Sequence, residues 1–397
     1  MTINSKFRGF ITAALFCSVS GFAAVSAEDS ISPTAEATAV EAELSFWDLT
    51  PLEKAFIDTS PAARDDAFPV GELGVDGGEK SSIVALAKEI AEGKYGKYDS
   101  LLITQKDKLL FESYFQRGRI NLAHGQASAT KVYTAMILGR AMQLGYLTMA
   151  DLKKPIIDFL DDLDRTKLVD GAERITLHKA MTMHSGIRLT EDQRKMIEEN
   201  SEAIKGQGLV QAWLEATTPI TDETQTYLYS FDPDLVMTVI DAVAPGTAKD
   251  FIKTEVLDKL AITNYNWGTN VNGLPQAGWM VSMTSRDMLK WGSVILNEGK
   301  WNGEQLIPAE YLAVATKGLV KPTQDWMPES YRYGYYFYQT SIAVGGKSYN
   351  ATFAWGGGDQ RIIVVDALDL VVVFTGHDNE GTMMDQVVET VLPAFAK

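Results

Sequence analysis

The stretch Gln126-Ala-Ser-Ala-Thr-Lys-Val-Tyr-Thr134 holds the only Ser-x-x-Lys in the chain. Apolar residues follow at Val132, Ala135, Met136, Leu138, Met142 and Leu144, the spacing of a buried helical face, and Gly145 supplies a stop. The pattern predicts a helix opening at Ser128. Residues three apart on a helix share one side, so the Ser128 hydroxyl and the Lys131 amine can meet. A first-turn serine also sits at the positive end of the helix dipole, which favours developing negative charge. A capping serine beside a solvated lysine would read the same way, and such a tetrapeptide arises by chance about once in a chain of this length. The flanking sequence has to decide.

Upstream, Lys6 and Arg8 precede an apolar run from Phe10 to Val25 that closes on Val25-Ser-Ala27 before Glu28-Asp29. This is the layout of a cleavable export signal over residues 1–27. Cys17 raises the question of a lipid anchor, but bulky Phe16 precedes it, so the reading is cleavage after Ala27, a periplasmic or secreted location, and no stable membrane anchor. Cys17 is the sole cysteine, which leaves the mature chain without disulfides, thiolate metal sites or a cysteine nucleophile. Removing Lys6 and Arg8 moves the formal charge from −16 to −18, which argues against nucleic acid as a partner. With 46% hydrophobic residues, the chain can build a large core.

Residues 28–75 read as a leader and N-terminal extension, polar and flexible to about residue 45. A single domain is expected over 76–397. Ile83, Leu86, Ala87 and Ile90 mark a first helix, and Ser100–Thr104, a polar turn and Leu109–Phe115 mark a hairpin. Residues 128–279 read as mostly helical, with Ile175–Ile187 as one helix ended by Gly186. After a capped helix at Thr284-Ser-Arg-Asp287, four strand-like runs follow: Tyr333–Tyr338, Tyr349–Ala354, Arg361–Val365 and Leu370–Thr375. A last helix spans about Thr382 to Phe395. The expectation is an α+β fold in which one antiparallel sheet is assembled from 76–127 and 280–397, flanked by helices, with a helical lobe inserted at 128–279.

Two further stretches suit a site around Ser128. In Tyr227-Leu-Tyr-Ser-Phe-Asp232, a pocket tyrosine can hold or relay a proton, although most tyrosines simply pack. In Trp355-Gly-Gly-Gly-Asp-Gln-Arg361, the glycines let a substrate approach the backbone and leave N–H groups for an oxyanion, although a plain hairpin turn has the same composition. The carboxylates Asp158, Asp161, Asp162 and Asp164 lack the spacing of a calcium loop, and His178 and His184 lie six apart, on different helix faces. No metal or cofactor is expected. No Gly-x-Ser-x-Gly elbow exists to seat a Ser-His-Asp triad, so His124, His178, His184 and His377 read as structural or surface residues.

Taken in order, Ser128-x-x-Lys131, Tyr229-Ser-Phe and Trp355-Gly-Gly resemble the serine β-lactamase-related hydrolases. That group includes penicillin-binding proteins, class C β-lactamases, related esterases and 6-aminohexanoate-dimer hydrolases. Met183-His-Ser-Gly-Ile187, Gly278–Asp287 and Asn297–Gly303 add flanking likeness, and the whole resemblance covers roughly residues 98–390. It implies a β-lactamase/DD-peptidase-like fold, Ser128 as the acylated nucleophile, Lys131 as its base and Tyr229 as the proton carrier to the leaving group. The oxyanion hole would join the Ser128 N–H to Gly357 or Gly358, with Trp355 and Gly356 against the substrate. Two departures bear on substrate. Trp355 stands where penicillin-recognising members carry Lys or His, and Phe231 stands where the tyrosine motif has Asn, with Asp232 next to it as a substitute of open geometry. These favour a small ester or amide over a β-lactam. The alternatives are a β-lactamase or D-Ala carboxypeptidase and a non-catalytic binding module on the same fold.

Overall fold

The computed structural model describes residues 35–200, 202–379 and 381–396, so the export signal lies outside the described residues. Eight strands form the main sheet: Phe56–Asp58 (β1), Tyr98–Gln105 (β2), Lys108–Tyr114 (β3), Arg332–Tyr333 (β4), Tyr338–Val344 (β5), Lys347–Gly356 (β6), Gln360–Val365 (β7) and Leu370–Gly376 (β8). Their order is β1-β3-β2-β8-β7-β6-β5-β4, and every neighbouring pair is antiparallel. The two ends of the chain meet at the centre, where Ile103 of β2 pairs with Val372 of β8. Both β7 and β8 are buried along their whole length, as suits β-branched runs covered on two faces. The helix Ser285–Leu296, capped by the Thr284 hydroxyl accepting from the Asp287 N–H (3.1 Å), packs on β7 and β8. The helix Lys80–Ala91 buries the expected Ile83, Leu86, Ala87 and Ile90 against β2 and the C-terminal helical segment.

The hairpin of β2 and β3 turns at Lys106 and Asp107, both at positive φ, the geometry that matches the twist of paired strands. The aromatic run Tyr333–Tyr338, read as one strand, is instead broken. Tyr336 has φ 67°, and the Tyr335 and Tyr336 side chains leave the sheet to hold the lobe. Tyr335 Oη meets His178 Nδ1 at 2.7 Å and Tyr336 Oη donates to the Ala180 carbonyl at 3.1 Å. Strand β5, which the sequence reading missed, starts only at Tyr338 and turns into β6 through Gly345-Gly346.

Three other expectations are corrected by tertiary contacts. The helix over Ile175–Ile187 shortens to Leu177–Met181, because Met183 and Gly186 both adopt positive φ. Ser128 does not open an α-helix; it sits in a 3₁₀ turn, Ala127–Ala129, and the α-helix runs Thr130–Gln143. That serine helix is buried from Thr130 to Met142, lodged between the sheet and the helix Asp232–Val243, so its apolar face alone did not define it. Residues 35–48 pack on the domain, although the sequence up to about residue 45 reads as flexible. The Ala35 carbonyl accepts from the Ile120 N–H (2.9 Å), Glu41 pairs with buried Arg119 (2.6 Å), and the Phe46 ring stands edge-on to His124. A few fixed contacts hold this segment, and such contacts leave no periodic signal. Asp158 and Asp164 pair with Arg165 and Lys167 at the surface, and among the described residues no group of three or more His, Cys, Asp or Glu is arranged to hold a metal ion. No described helix is long and apolar enough to cross a membrane.

Candidate active site

Ser128 is presented by a strapped loop. His124-Gly125 pairs with Ser282–Met283, and buried Gln126 then anchors the turn on three sides. Its N–H donates to the Val281 carbonyl (2.7 Å), its Nε2 to the His124 carbonyl (2.8 Å), and its Oε1 accepts from Tyr133 Oη (3.0 Å). Ala127 follows at φ 44°, a left-handed conformation that a non-glycine residue keeps only where its surroundings enforce it. This kink turns Ser128 out of the helix axis and into a cleft.

Lys131 lies one turn on and is only 6% exposed. Its Nζ donates to Ser128 Oγ (3.0 Å) and to the Gly278 carbonyl (2.9 Å), and it stands 4.7 Å from the centre of the Tyr229 ring. Two hydrogen bonds and an aromatic face therefore aim the amine at the serine. Asp234, on the neighbouring helix, adds a carboxyl near Lys131. Burial pushes that carboxyl up to about 7, against the pull of the Lys131 charge and of hydrogen bonds from Asn270 and the Ala277 N–H. Tyr229 is hydrogen-bonded to Tyr338, whose own hydroxyl burial pushes upward.

The glycine run forms the opposite wall. Ser128, Tyr229, Trp355, Gly356 and Gly357 line one cleft of about 480 Å³, together with Trp326 and Tyr338. A Cβ at Gly356 would lie 2.2 Å from the Gln126 carbonyl oxygen and 3.1 Å from the Ala129 nitrogen, so only glycine lets β6 lie against the serine turn. The Gly358 N–H donates to Asn379 Oδ1 (2.6 Å), which commits it elsewhere and leaves Gly357 as the cleft-lining glycine beyond Gly356.

Asp232 does not replace the missing amide. It turns away from the cleft and accepts from the Ser185 N–H (3.0 Å), Ser185 Oγ (2.7 Å) and Ser230 Oγ (3.0 Å). Phe231 packs on Trp213 with ring centres 4.4 Å apart. The histidines are also engaged elsewhere. His184 Nδ1 meets the Thr182 carbonyl (2.6 Å), His178 meets Tyr335, and His124 and His377 both bond buried Asp99 (3.0 and 2.8 Å). Sequence reasoning missed Gly278 as a partner of Lys131, although Gly278 opens a stretch already noted for its likeness. It also missed Asn379, Tyr338 and Trp326, which no local motif marks.

An antiparallel sheet, an inserted lobe and a Ser-x-x-Lys turn at their junction define the serine β-lactamase architecture. The family model described as Beta-lactamase matches residues 98–391, and the chain belongs to that family. A Bacillus anthracis structure provisionally named as a 6-aminohexanoate-dimer hydrolase is similar over 91% of this chain and 95% of its own, at 17% identity and a TM-score of 0.61. A D-stereospecific amidohydrolase from Streptomyces sp. shares 15% identity over 77% of this chain and 98% of its own, with a TM-score of 0.57. For a class C β-lactamase the figures are 15%, 80%, 96% and 0.58. At these identities the likeness is one of fold. No curated protein matches the sequence significantly.

Proposed function

We propose that this protein is an exported serine hydrolase that cleaves a small carboxylic ester or amide through an acyl-enzyme on Ser128. The observation that carries the reading is the 3.0 Å hydrogen bond from Lys131 Nζ to Ser128 Oγ, made at an open cleft beside the Tyr229 ring. In this scheme Ser128 Oγ attacks the carbonyl carbon and its proton passes to Lys131 Nζ. The tetrahedral oxyanion accepts from the Ser128 and Gly357 N–H groups. Tyr229 gives its hydroxyl proton to the departing oxygen or nitrogen and recovers one from Lys131, so the base is neutral again for the next step. Water then attacks the acyl carbonyl carbon and passes its proton along the same route to Lys131; Ser128 Oγ leaves, takes that proton back from Lys131, and the acid is released.

Two features support an ester or short amide over a β-lactam. Phe231 puts a packed ring where an amide would hold a substrate amide, and Trp355 brings no charge to the strand facing Ser128. The basic start at Lys6 and Arg8, the apolar run and Ala27 support export. One experiment tests both parts: intact mass spectrometry of protein recovered from the periplasm or medium of the producing cell, before and after a fluorophosphonate. The expected mass starts at Glu28 and gains one adduct, which Ser128→Ala abolishes together with p-nitrophenyl acetate hydrolysis. An intact wild-type protein inert to both reagents would leave a binding module as the reading. Stable labelling by a fluorescent penicillin would favour the penicillin-interactive alternative.

A further inference from the structure

The wall of the cleft facing Ser128 is aromatic and closely braced. Trp355 carries the Arg361 guanidinium on one face, 3.9 Å from the ring centre, and meets Tyr338 and Trp326 edge-on at 5.6 and 5.2 Å. Tyr338 in turn stacks on Phe353 at 5.5 Å. Trp326 is 62% exposed, so a large indole stands in solvent at the rim of a catalytic cleft. Leu228 and Trp279 are 42% and 58% exposed, and each adjoins in sequence a group that holds Lys131, namely Tyr229 and Gly278. Trp326, Trp355 and Tyr338 together line the cleft, and an exposed apolar surface in a concavity marks a binding surface.

Charge in the cleft is closed on itself. Among the described residues, Asp359 and Arg361 are the charged ones that line the cleft, and they pair with each other at 2.8 Å. Tyr98 Oη donates to the second Asp359 oxygen at 2.8 Å. Arg361 Nη1 is enclosed with no hydrogen-bond partner, and the guanidinium lies against the Trp355 face with its charge already paired to Asp359. A carboxylate entering this space would shed its water and, among the described lining residues, meet a guanidinium whose charge Asp359 already balances. An aliphatic chain or ring would exchange water for indole and phenol surface.

We propose that the cleft selects substrates bearing a large uncharged apolar group beside the scissile carbonyl, of the size of an acyl chain of about eight carbons, held against Trp326 and Trp355. This specificity rests on Ser128 being the acylated nucleophile. Three p-nitrophenyl esters test it: the acetate, the octanoate and the suberate monoester, which matches the octanoate in length but ends in a carboxylate. The octanoate is expected to exceed both others in kcat/KM by about tenfold, and Trp326→Ala to cut that preference to about threefold or less. A second measurement needs no turnover. Ser128→Ala protein is titrated with 2-octanone and 2-butanone by tryptophan fluorescence, and the longer ketone is expected to bind about tenfold more tightly. Equal affinities for the two ketones, or a preference for the suberate ester, would overturn the proposal. Ketone discrimination in a protein that hydrolyses none of the esters would overturn the hydrolase reading and, with it, the substrate claim, leaving only the apolar binding preference of the cleft. Ester turnover indifferent to chain length would overturn the proposal and leave the hydrolase reading standing.

Discussion

Tyr229 does two things that can be separated. Its ring lies 4.7 Å from Lys131 Nζ, and its hydroxyl, bonded to Tyr338, is the proton carrier in the proposed scheme. Tyr229→Phe keeps the ring and removes the hydroxyl, so the lysine should stay in place while the leaving group loses its acid. The expected result is a fall in kcat of about 10²-fold or more at an unchanged melting temperature, since a positioned general acid contributes typically 10²–10⁴-fold. Steady-state kinetics beside a thermal melt checks it, and a variant with most of its kcat intact would remove Tyr229 from the proton path. Ser128, Lys131 and Tyr229 could each be picked out from the sequence because side-chain chemistry travels with residue type. Gly278 could not, because it acts through its carbonyl, and every residue has one.

At the scale of elements, the site depends on how closely β6 approaches the serine turn. Gly356 meets the Gln126 carbonyl and the Ala129 nitrogen, both backbone atoms fixed by the loop, so an added methyl cannot be absorbed by a side-chain rotation. Gly356→Ala should push the strand away and carry Gly357 out of reach of the oxyanion. We expect kcat/KM to fall about 10²-fold or more, the usual effect of losing one oxyanion donor, with a smaller proportional change in stability. Wild-type activity in this variant would show that the approach is not needed. The glycine run was legible, but its register was not. The close approach of Gly356 to the serine turn and the hydrogen bond from Gly358 to Asn379, a residue 21 positions away, separate the three glycines.

For the molecule as a whole, folding buries acids that would otherwise be solvated. Burial pushes Asp232 up to about 6, and hydrogen bonds from Ser185 and Ser230 offset only part of that. Asp234 is pushed up to about 7 in the same way. A folded state that binds a proton more tightly than the unfolded chain is stabilised at low pH. Asp232 therefore contributes fully below about pH 4, and its contribution is lost as pH rises through about 6. The shift from the ordinary value of 3.8 corresponds to about 3 kcal/mol at most. Asp232→Asn should flatten the stability profile between about pH 4 and 7 relative to wild type, as read from urea midpoints. Parallel profiles for the two proteins would contradict the assignment.

The sequence by itself determined the fold class, the pairing of sheet segments from both ends of the chain, and the residue types that meet at Ser128. The fold class and the Ser128–Lys131 pair follow from local periodicity, β-branched runs and the three-residue offset of a helical turn, all of which act at short range, whereas Tyr229 and the glycine run came from the resemblance of the ordered motifs to a known family. Tertiary structure decided which way Asp232 and Phe231 face, where the run Tyr333–Tyr338 breaks, and that residues 35–48 are held in place. It also made Arg361 the support of Trp355 instead of a free charge in the cleft. Each of these depends on contacts between residues far apart in the chain, and no local pattern records them.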